Sequence, residues 1–504
     1  MSVSAPDAPP TAPPIAFIAR HHRRWTAAVL LLAAFNLTFR LTQENVAEWD
    51  ESLYAGSAIE MLESGDWVGT TTQGALDYYN SKPPLHVWIL ALSFKVFGTN
   101  LLSLRLVAAA SAWLTVFVLL WWAHRTAGPT AALLSALVLS TSFGFLHVHS
   151  GRSGNPDALL TLLLLLIVVV EWTAARRASV LVWLGPLLAG VFLLKGMALL
   201  MPLAFIVAVE TWRALRGRAI AWRPLALAAV LFVAPVLCWT VARWRLDEWR
   251  FLRLLVTQDL VAVSTTPTDG HVGSPLYYLD ILQRHHYEWL VAVAVAVAVA
   301  RPRLVAVRAL LADGWRSVWD GCRRGDDLTI VVCLWVLVAF GVPTLMQTKL
   351  PWYLNPLYPM FALGAGWLLA RALSETTVRT RPRWAIVAVL ALALGIAEGK
   401  LIWHSVNQRA LEGSAQELVM HAADDLRGRV VYRNGWTWGE SFVVRGIVKA
   451  EHAVAADVDR FLEAGSADDF LLAEAHLSDP RLLAVRANGA HALFRRRRLV
   501  DPAQ

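Results

Sequence analysis

Cysteine is scarce in this sequence. There are three in 504 residues, Cys238, Cys322 and Cys333, each in or beside a hydrophobic segment and none at ligand spacing. That excludes a disulfide framework and a cysteine-built zinc site. Charge is scarce too, at 17% of residues against 57% hydrophobic ones, where a soluble domain carries about 25% charged residues. Mean hydropathy is +0.48, and many apolar runs approach the roughly 20 residues that cross a bilayer. No internal repeat is evident, which weighs against a secondary transporter, because transporters are commonly built from repeats with ionisable groups near mid-membrane.

What is present is a polytopic pattern. The net charge of +8 would suggest nucleic acid in a soluble protein, but the arginines gather in short loops between apolar runs. That is the positive-inside distribution, and it argues against nucleic-acid binding. Residues 1–15, rich in Pro, Ala and Ser, read as disordered. The basic stretch Arg20 to Arg24 precedes an apolar run from Trp25 to about Leu41 and resembles a signal peptide, yet no small-residue cleavage site follows. The run is therefore read as a first span, with the N-terminus cytoplasmic and the next stretch outside.

Counting spans from there gives Leu101 to Trp122, Thr130 to Leu146, Ala158 to Trp172, Val180 to Leu194, Met197 to Trp212, Leu225 to Val241, Leu290 to Ala300 extended upstream, Leu328 to Met346, Tyr353 to Ala370 and Trp384 to Trp403. The total is about eleven and at most thirteen. Leu85 to Phe97 has only thirteen residues and is read as interfacial or re-entrant. Three domains are expected: a cytoplasmic tail 1–24, a transmembrane module 25–403 with outer loops 43–100 and 243–289, and an extracytoplasmic α/β domain 404–504. In the last, Glu417 to Leu426 and Val458 to Ala464 read as helices, and Arg429 to Tyr432, Phe470 to Ala475 and Ala490 to Phe494 as strands. The basic end Arg495 to Arg498 reads as a solvated tail or a contact with anionic lipid.

The candidate chemistry lies in the first outer loop. Asp50 and Glu51 stand beside a span, where an acidic pair can act as base, cation ligand or anchor for a sugar hydroxyl. Both also suit the N-terminus of a surface-lying amphipathic helix over 51–64, Asp50 as its cap and Glu51 complementing its dipole. Asp157, after Asn155 and Pro156, has the same two readings, and the span count puts it on the face of Asp50. Lys82 precedes Pro83 and Pro84, so a stiffened backbone holds it at the membrane edge, to meet a phosphate or simply to snorkel. Lys195, Lys349 and Arg152 fall on the same face, and cations converging there suggest a phosphate leaving group. Tyr54, Tyr79, Tyr277, Tyr278 and Tyr353 are candidate sugar or lipid contacts, or members of an aromatic belt. His271, His285 and His286 lack helical metal-ligand spacing.

Several of these pieces stand together in a known order: Asp50, Glu51 with Tyr54; Glu60 to Trp67; Lys82, Pro83, Pro84, Leu85; Pro156 to Leu160; Lys195, Gly196; Pro275 to Tyr278; and Lys349 to Tyr353 with Pro356 and Pro359. In this the chain resembles the membrane glycosyltransferases that include lipid A aminoarabinose transferase and the protein O-mannosyltransferases, over residues 20–370. The resemblance implies a polytopic all-α GT-C fold and inverting transfer from a polyprenyl-phosphate sugar to a lipid or other cell-envelope acceptor, outside the bacterial inner membrane. It casts Asp50 as the catalytic carboxylate, Asp157 as a second acid, and Lys82, assisted by Lys349, as the holder of the donor phosphate. It implies no obligatory cofactor. A divalent metal is compatible, but Ser81 stands where family members often carry a glutamate before the lysine. A protein acceptor is the alternative within the family, and a transporter or lipid-binding scaffold the alternative outside it.

Overall fold

The computed structural model describes residues 20–267, 270–300, 316, 319–374, 380–407 and 411–497. The tail 1–15, most of the basic loop after Ala300 and Arg498 lie outside the described residues.

Among the described residues, seven helical runs are long and apolar enough to cross a membrane. One of them, Ala178–Leu215, is 38 residues long and contains a reversal that ion pairs locate. Helix α7 (Asp157–Ala174) spans about 27 Å at 1.5 Å per residue. At its first residue Asp157 meets Lys195, the last residue of α8 (Leu184–Lys195), at 2.6 Å. Near its other end Glu171 meets Arg213, in the last turn of α9 (Leu200–Leu215), at 2.7 Å. Helices α8 and α9 therefore run antiparallel and turn at Gly196, whose φ of 49° and ψ of −109° a side chain would resist. Arg213 and Arg218 also face Asp327 at the start of α13 (Asp327–Leu345), so α13 rises back toward the end that holds Asp157.

The same logic orders the rest. α1 (His22–Thr38) stacks His22 on His124 near the end of α4 (Leu101–Ala127), remote from Asp157. A reciprocal cap between Asn100 and Ser103 starts α4, which sets the register of Arg105 one turn further on. α5 (Pro129–Ser140) and α14 (Tyr358–Ser374) pack closely: a Cβ on Gly366 would lie 2.4 Å from the Ser135 backbone nitrogen. Further helices are α2 (Asp50–Ser64), α3 (Leu85–Phe97), α6 (Phe143–His147), α10 (Trp222–Asp247), α11 (Arg250–Val256), α12 (Tyr277–Ala300) and α15 (Thr380–Asn407), with short ones at Val263–Thr265 and, in the C-terminal part, Ala415–His421, Ala423–Leu426, Trp438–Phe442 and Val458–Ala464.

Two expectations are corrected. The outer stretch 243–289 is largely helical, because α10 runs on to Asp247, Phe251 and Leu255 of α11 bury one helical face beside Leu193 and Trp239, and α12 begins at Tyr277 with a kink at His286. Helix α2 does not lie on the surface. Tyr54, Ala55, Ala58, Ile59 and Met61 join α3 and the C-terminal residues Leu418, Phe442 and Val443 in one core.

The first loop carries a short antiparallel hairpin of β1 (Thr71–Thr72) and β2 (Ala75–Leu76), and the C-terminal part is a five-stranded mixed sheet in the order β4-β3-β5-β7-β6. Strand β3 (Val430–Arg433) pairs in parallel with β4 (Glu451–Val454) and β5 (Phe470–Glu474), while β7 (His491–Arg496) is antiparallel to β5 and β6 (Leu482–Ala487). Sequence patterning misses β4 and β6, the two edge strands, whose side chains are mostly exposed and carry no alternation. The sheet unit is tied to the first loop by Gln416, which exchanges hydrogen bonds with the Val46 backbone at 2.9 and 3.2 Å. Arg445 adds ion pairs to Glu60 and Glu63.

A buried ion pair anchors the loop to the bundle. Arg105 donates to Glu51 at 2.9 and 3.2 Å and to the carbonyls of Leu41, Glu44 and Asn45 at 2.7 to 3.0 Å. Both side chains are fully buried, and removing one partner of such a pair costs about 3–5 kcal/mol. Arg105→Met is therefore expected to lower stability by about that amount, read as a fall in thermal unfolding midpoint of the protein in detergent. An unchanged midpoint would remove the pair as the anchor.

Candidate active site

Where α7, α8, the segment after α11 and the end of α13 meet lies a cavity of about 250 Å³. Its charged lining residues are Lys82, Asp157, Lys195 and Asp259; Trp352 and Tyr353 also line it, and Leu160, Leu164, Met201 and Val342 are among its apolar lining. Each cation is paired. Lys195 Nζ lies 2.6 Å from Asp157, and Lys82 Nζ lies 2.9 Å from Asp259. Asp259 also accepts the Ser81 hydroxyl hydrogen at 3.0 Å. It sits in a π-helical turn, Thr257–Ala262, a geometry that recurs at functional sites.

Local structure accounts for the placement. Asp157 opens α7 and complements its dipole, although the cap is Pro156, and the Asn155 amide turns to Ser153 instead. Lys195 is the last residue before the Gly196 reversal. Lys82 is held by two prolines that lead into α3.

Next to the cavity, Trp352 stacks on His149 with ring centroids 3.7 Å apart, and His149 Nδ1 is 3.7 Å from Asp50. Asp50 is half-exposed and lies outside the cavity lining. Two neighbours have positive φ, Trp49 at 69° and His149 at 50°, a strain of the kind that gathers at working sites. Below them, burial, and then the charges of Asp50, Asp157 and Asp259, push the Tyr54 hydroxyl well above its usual pKa, so it remains protonated. Burial lowers His86 to about 4; it is neutral and donates from Nε2 to the Gly154 carbonyl at 2.7 Å. Among the described residues, no group of three or more His, Cys, Asp or Glu side chains is placed to hold a metal ion.

The family described as dolichyl-phosphate-mannose-protein mannosyltransferase matches residues 81–239, which include Lys82, Asp157 and Lys195. The undecaprenyl phosphate-alpha-4-amino-4-deoxy-L-arabinose arabinosyl transferase of Pseudomonas savastanoi pv. phaseolicola is 28% identical over 82% of this chain and 73% of its own length. A transferase of the same description from Pseudomonas fluorescens is 27% identical over 74% of this chain, and the match spans 61% of that relative. Among solved structures, ArnT from Cupriavidus metallidurans bound to undecaprenyl phosphate superposes with a TM-score of 0.65 at 16% identity, covering 94% of this chain and 98% of that one. The Archaeoglobus fulgidus oligosaccharyltransferase follows at 0.54 and 11% identity, over 91% of this chain and 70% of that one. The chain shares the fold of these membrane transferases.

The cavity gathers some of the residues singled out in the sequence and leaves others aside. Lys82, Asp157, Lys195 and Tyr353 line the cavity, and Asp50 and Tyr54 adjoin it. Glu51 is turned inward to Arg105, where it also accepts the Ala47 and Gly154 amides at 2.7 Å. Arg152 is fully buried against Glu44 and the carbonyls of Asn36 and Phe39. Lys349 caps the end of α13, donating to the carbonyls of Pro343, Thr344 and Met346 at 2.5 to 3.1 Å. Tyr277 and Tyr278 form an edge-on pair that does not line the cavity, and Tyr79 is exposed. Asp259 and His149 were not foreseen. The available signal for Asp259 was a lone carboxylate between the apolar pairs Leu254, Leu255 and Leu260, Val261.

Lys349 and Lys82 can thus be separated by experiment. Lys349→Met is expected to destabilise by about 1–3 kcal/mol, from carbonyls left unsatisfied, read as a fall in the thermal unfolding midpoint, whereas Lys82→Met should lower it by less, since Lys82 and Asp259 are both reached by solvent. Equal midpoints for Lys349→Met and wild type would overturn the assignment of Lys349 as a cap.

Proposed function

We propose that this enzyme moves 4-amino-4-deoxy-L-arabinose from undecaprenyl phosphate to a phosphate of lipid A, on the extracytoplasmic face of the bacterial inner membrane. The observation that carries the reading is the composition of the cavity. Two lysines and a largely apolar set of side chains line one cavity, and they match the charged and apolar parts of a phosphate joined to a polyprenyl chain. The relatives' own donor supplies the sugar and the carrier.

In this reading the phosphate lies between Lys82, which exchanges its carboxylate partner Asp259 for it, and Lys195, which meets it while still paired with Asp157. The bond between the sugar C1 and the phosphate oxygen breaks, and its electron pair goes to the phosphate, where the ammonium groups stabilise the new charge. An acceptor oxygen forms the new bond from the opposite side of C1, which inverts the centre. Asp50, beside His149 and reached by solvent, is the carboxylate on the acceptor side: it takes the proton if the acceptor is a hydroxyl and orients an acceptor phosphate that is already ionised. Tyr54 and Tyr353 serve as protonated donors or sugar contacts, and Asp157 holds Lys195 on the phosphate. The membrane module over 25–403 would supply the donor site, and the unit over 404–504 would brace the first outer loop from outside.

The test is transfer by the purified protein from undecaprenyl-phosphate aminoarabinose to lipid A in mixed micelles. Wild type should transfer. Lys82→Met should lose about 10²–10³-fold in kcat/KM, the usual cost of removing one stabiliser of developing charge, and Asp50→Asn should lower kcat with little change in donor KM. Absence of transfer by wild type with this donor would overturn the proposal.

A further inference from the structure

The charged groups lining the cavity are two lysines and two aspartates, so the empty site is balanced. The pair at Asp157 is built into the ends of two long helices, whereas Asp259 rides on the π-helical turn Thr257–Ala262. Its carboxylate is 13% exposed and its partner Lys82 25%, a setting in which charges interact far more strongly than in water. The donor is a phosphodiester with one negative charge. Transfer leaves a phosphate monoester, whose second pKa near 6 gives it a charge of about −1.5 to −2 at pH 7. Each turnover therefore adds negative charge to a cavity that was neutral when empty, and the product is bound more tightly by lysines than the donor was.

We propose that Asp259 is a displaceable counter-ion of Lys82 that drives product release. It yields Lys82 to the donor phosphate, is repelled by the extra charge formed on transfer, and reclaims Lys82 as the polyprenyl phosphate departs. The Ser81 hydroxyl, 3.0 Å from the same carboxylate oxygen, marks the position to which Asp259 returns. This inference rests on the polyprenyl-phosphate reading of the cavity and adds to it a residue that acts through Lys82.

The experiment measures equilibrium binding of two probes to the purified full chain at pH 7.5: undecaprenyl phosphate, which mimics the product charge, and its monomethyl ester, which mimics the donor charge. Asp259→Asn is expected to tighten binding of undecaprenyl phosphate at least fivefold and of the methyl ester less than twofold, and to give a burst followed by slow turnover in the transfer assay. Asp259→Glu, which keeps the charge, should preserve the wild-type ratio of the two dissociation constants. If Asp259→Asn leaves that ratio unchanged, or weakens undecaprenyl phosphate while its thermal midpoint and methyl-ester affinity are intact, the inference falls and the donor reading stands. If wild type binds neither probe, the donor reading itself falls.

Discussion

The site depends on one buried interaction, the ion pair of Glu51 with Arg105. An isolated charge in such a place would be prohibitive, and even a pair is a weak source of net stability. Its value here is positional. The two side chains together hold backbone groups of Leu41, Glu44, Asn45, Ala47 and Gly154, so the exit of α1, the start of α2 and the loop before α7 are set by one cluster. Asp50 is the residue before Glu51, and Asp157 lies three beyond Gly154. The spacing of Asp50 and Asp157 is thus fixed through groups that lie outside the cavity lining. Arg152, on Glu44 and the last carbonyls of α1, repeats the device one layer away.

That anchoring allows strain nearby. Trp49 and His149, both at positive φ, would relax if their neighbours were loose, since such conformations cost on the order of 1–3 kcal/mol each. Trp49 is held because Glu51 grips Ala47 on one side and the Ser52 hydroxyl donates to the Trp49 carbonyl on the other. His149 is held by its stack on Trp352. From outside, the sheet unit closes over α2 with Ile59 against Gly446, where an added Cβ would come within 2.3 Å of the isoleucine. The first loop is accordingly a layer between two bodies, which explains why a stretch with a weak helical amphipathic pattern is almost wholly buried.

Much of this was legible in the sequence, and the exceptions have a common cause. Apolar runs with basic loops gave the polytopic class, and the order of charged residues at span ends placed Lys82, Asp157 and Lys195 on one face. Residue type could not tell which way an ionisable side chain points. Glu51, Arg152 and Lys349 share the face but turn into protein, each satisfied by backbone groups that only the tertiary fold brings near. Asp259 was hidden for the converse reason. Its stretch looked like a polar loop, because a short helix followed by a π turn breaks the 3.6-residue repeat on which periodicity rests. The edge strands β4 and β6 bury too few side chains to leave a pattern.

The two lysine–aspartate pairs look equivalent in composition and differ in mechanics. Asp157 and Lys195 stand at the ends of helices that are pinned again at the far side by Glu171 and Arg213, so neither can leave without moving a membrane-spanning segment. Asp259 and Lys82 belong to connecting segments, one a π turn and the other a proline-stiffened approach to a short helix. A cavity that must admit a charged headgroup, stabilise it while its charge grows, and then let it go needs a fixed cation and a cation whose partner can return. On the proposed reading, one pair of each kind meets that need: Asp157 keeps Lys195 in place throughout, and Asp259 yields Lys82 and can return to it.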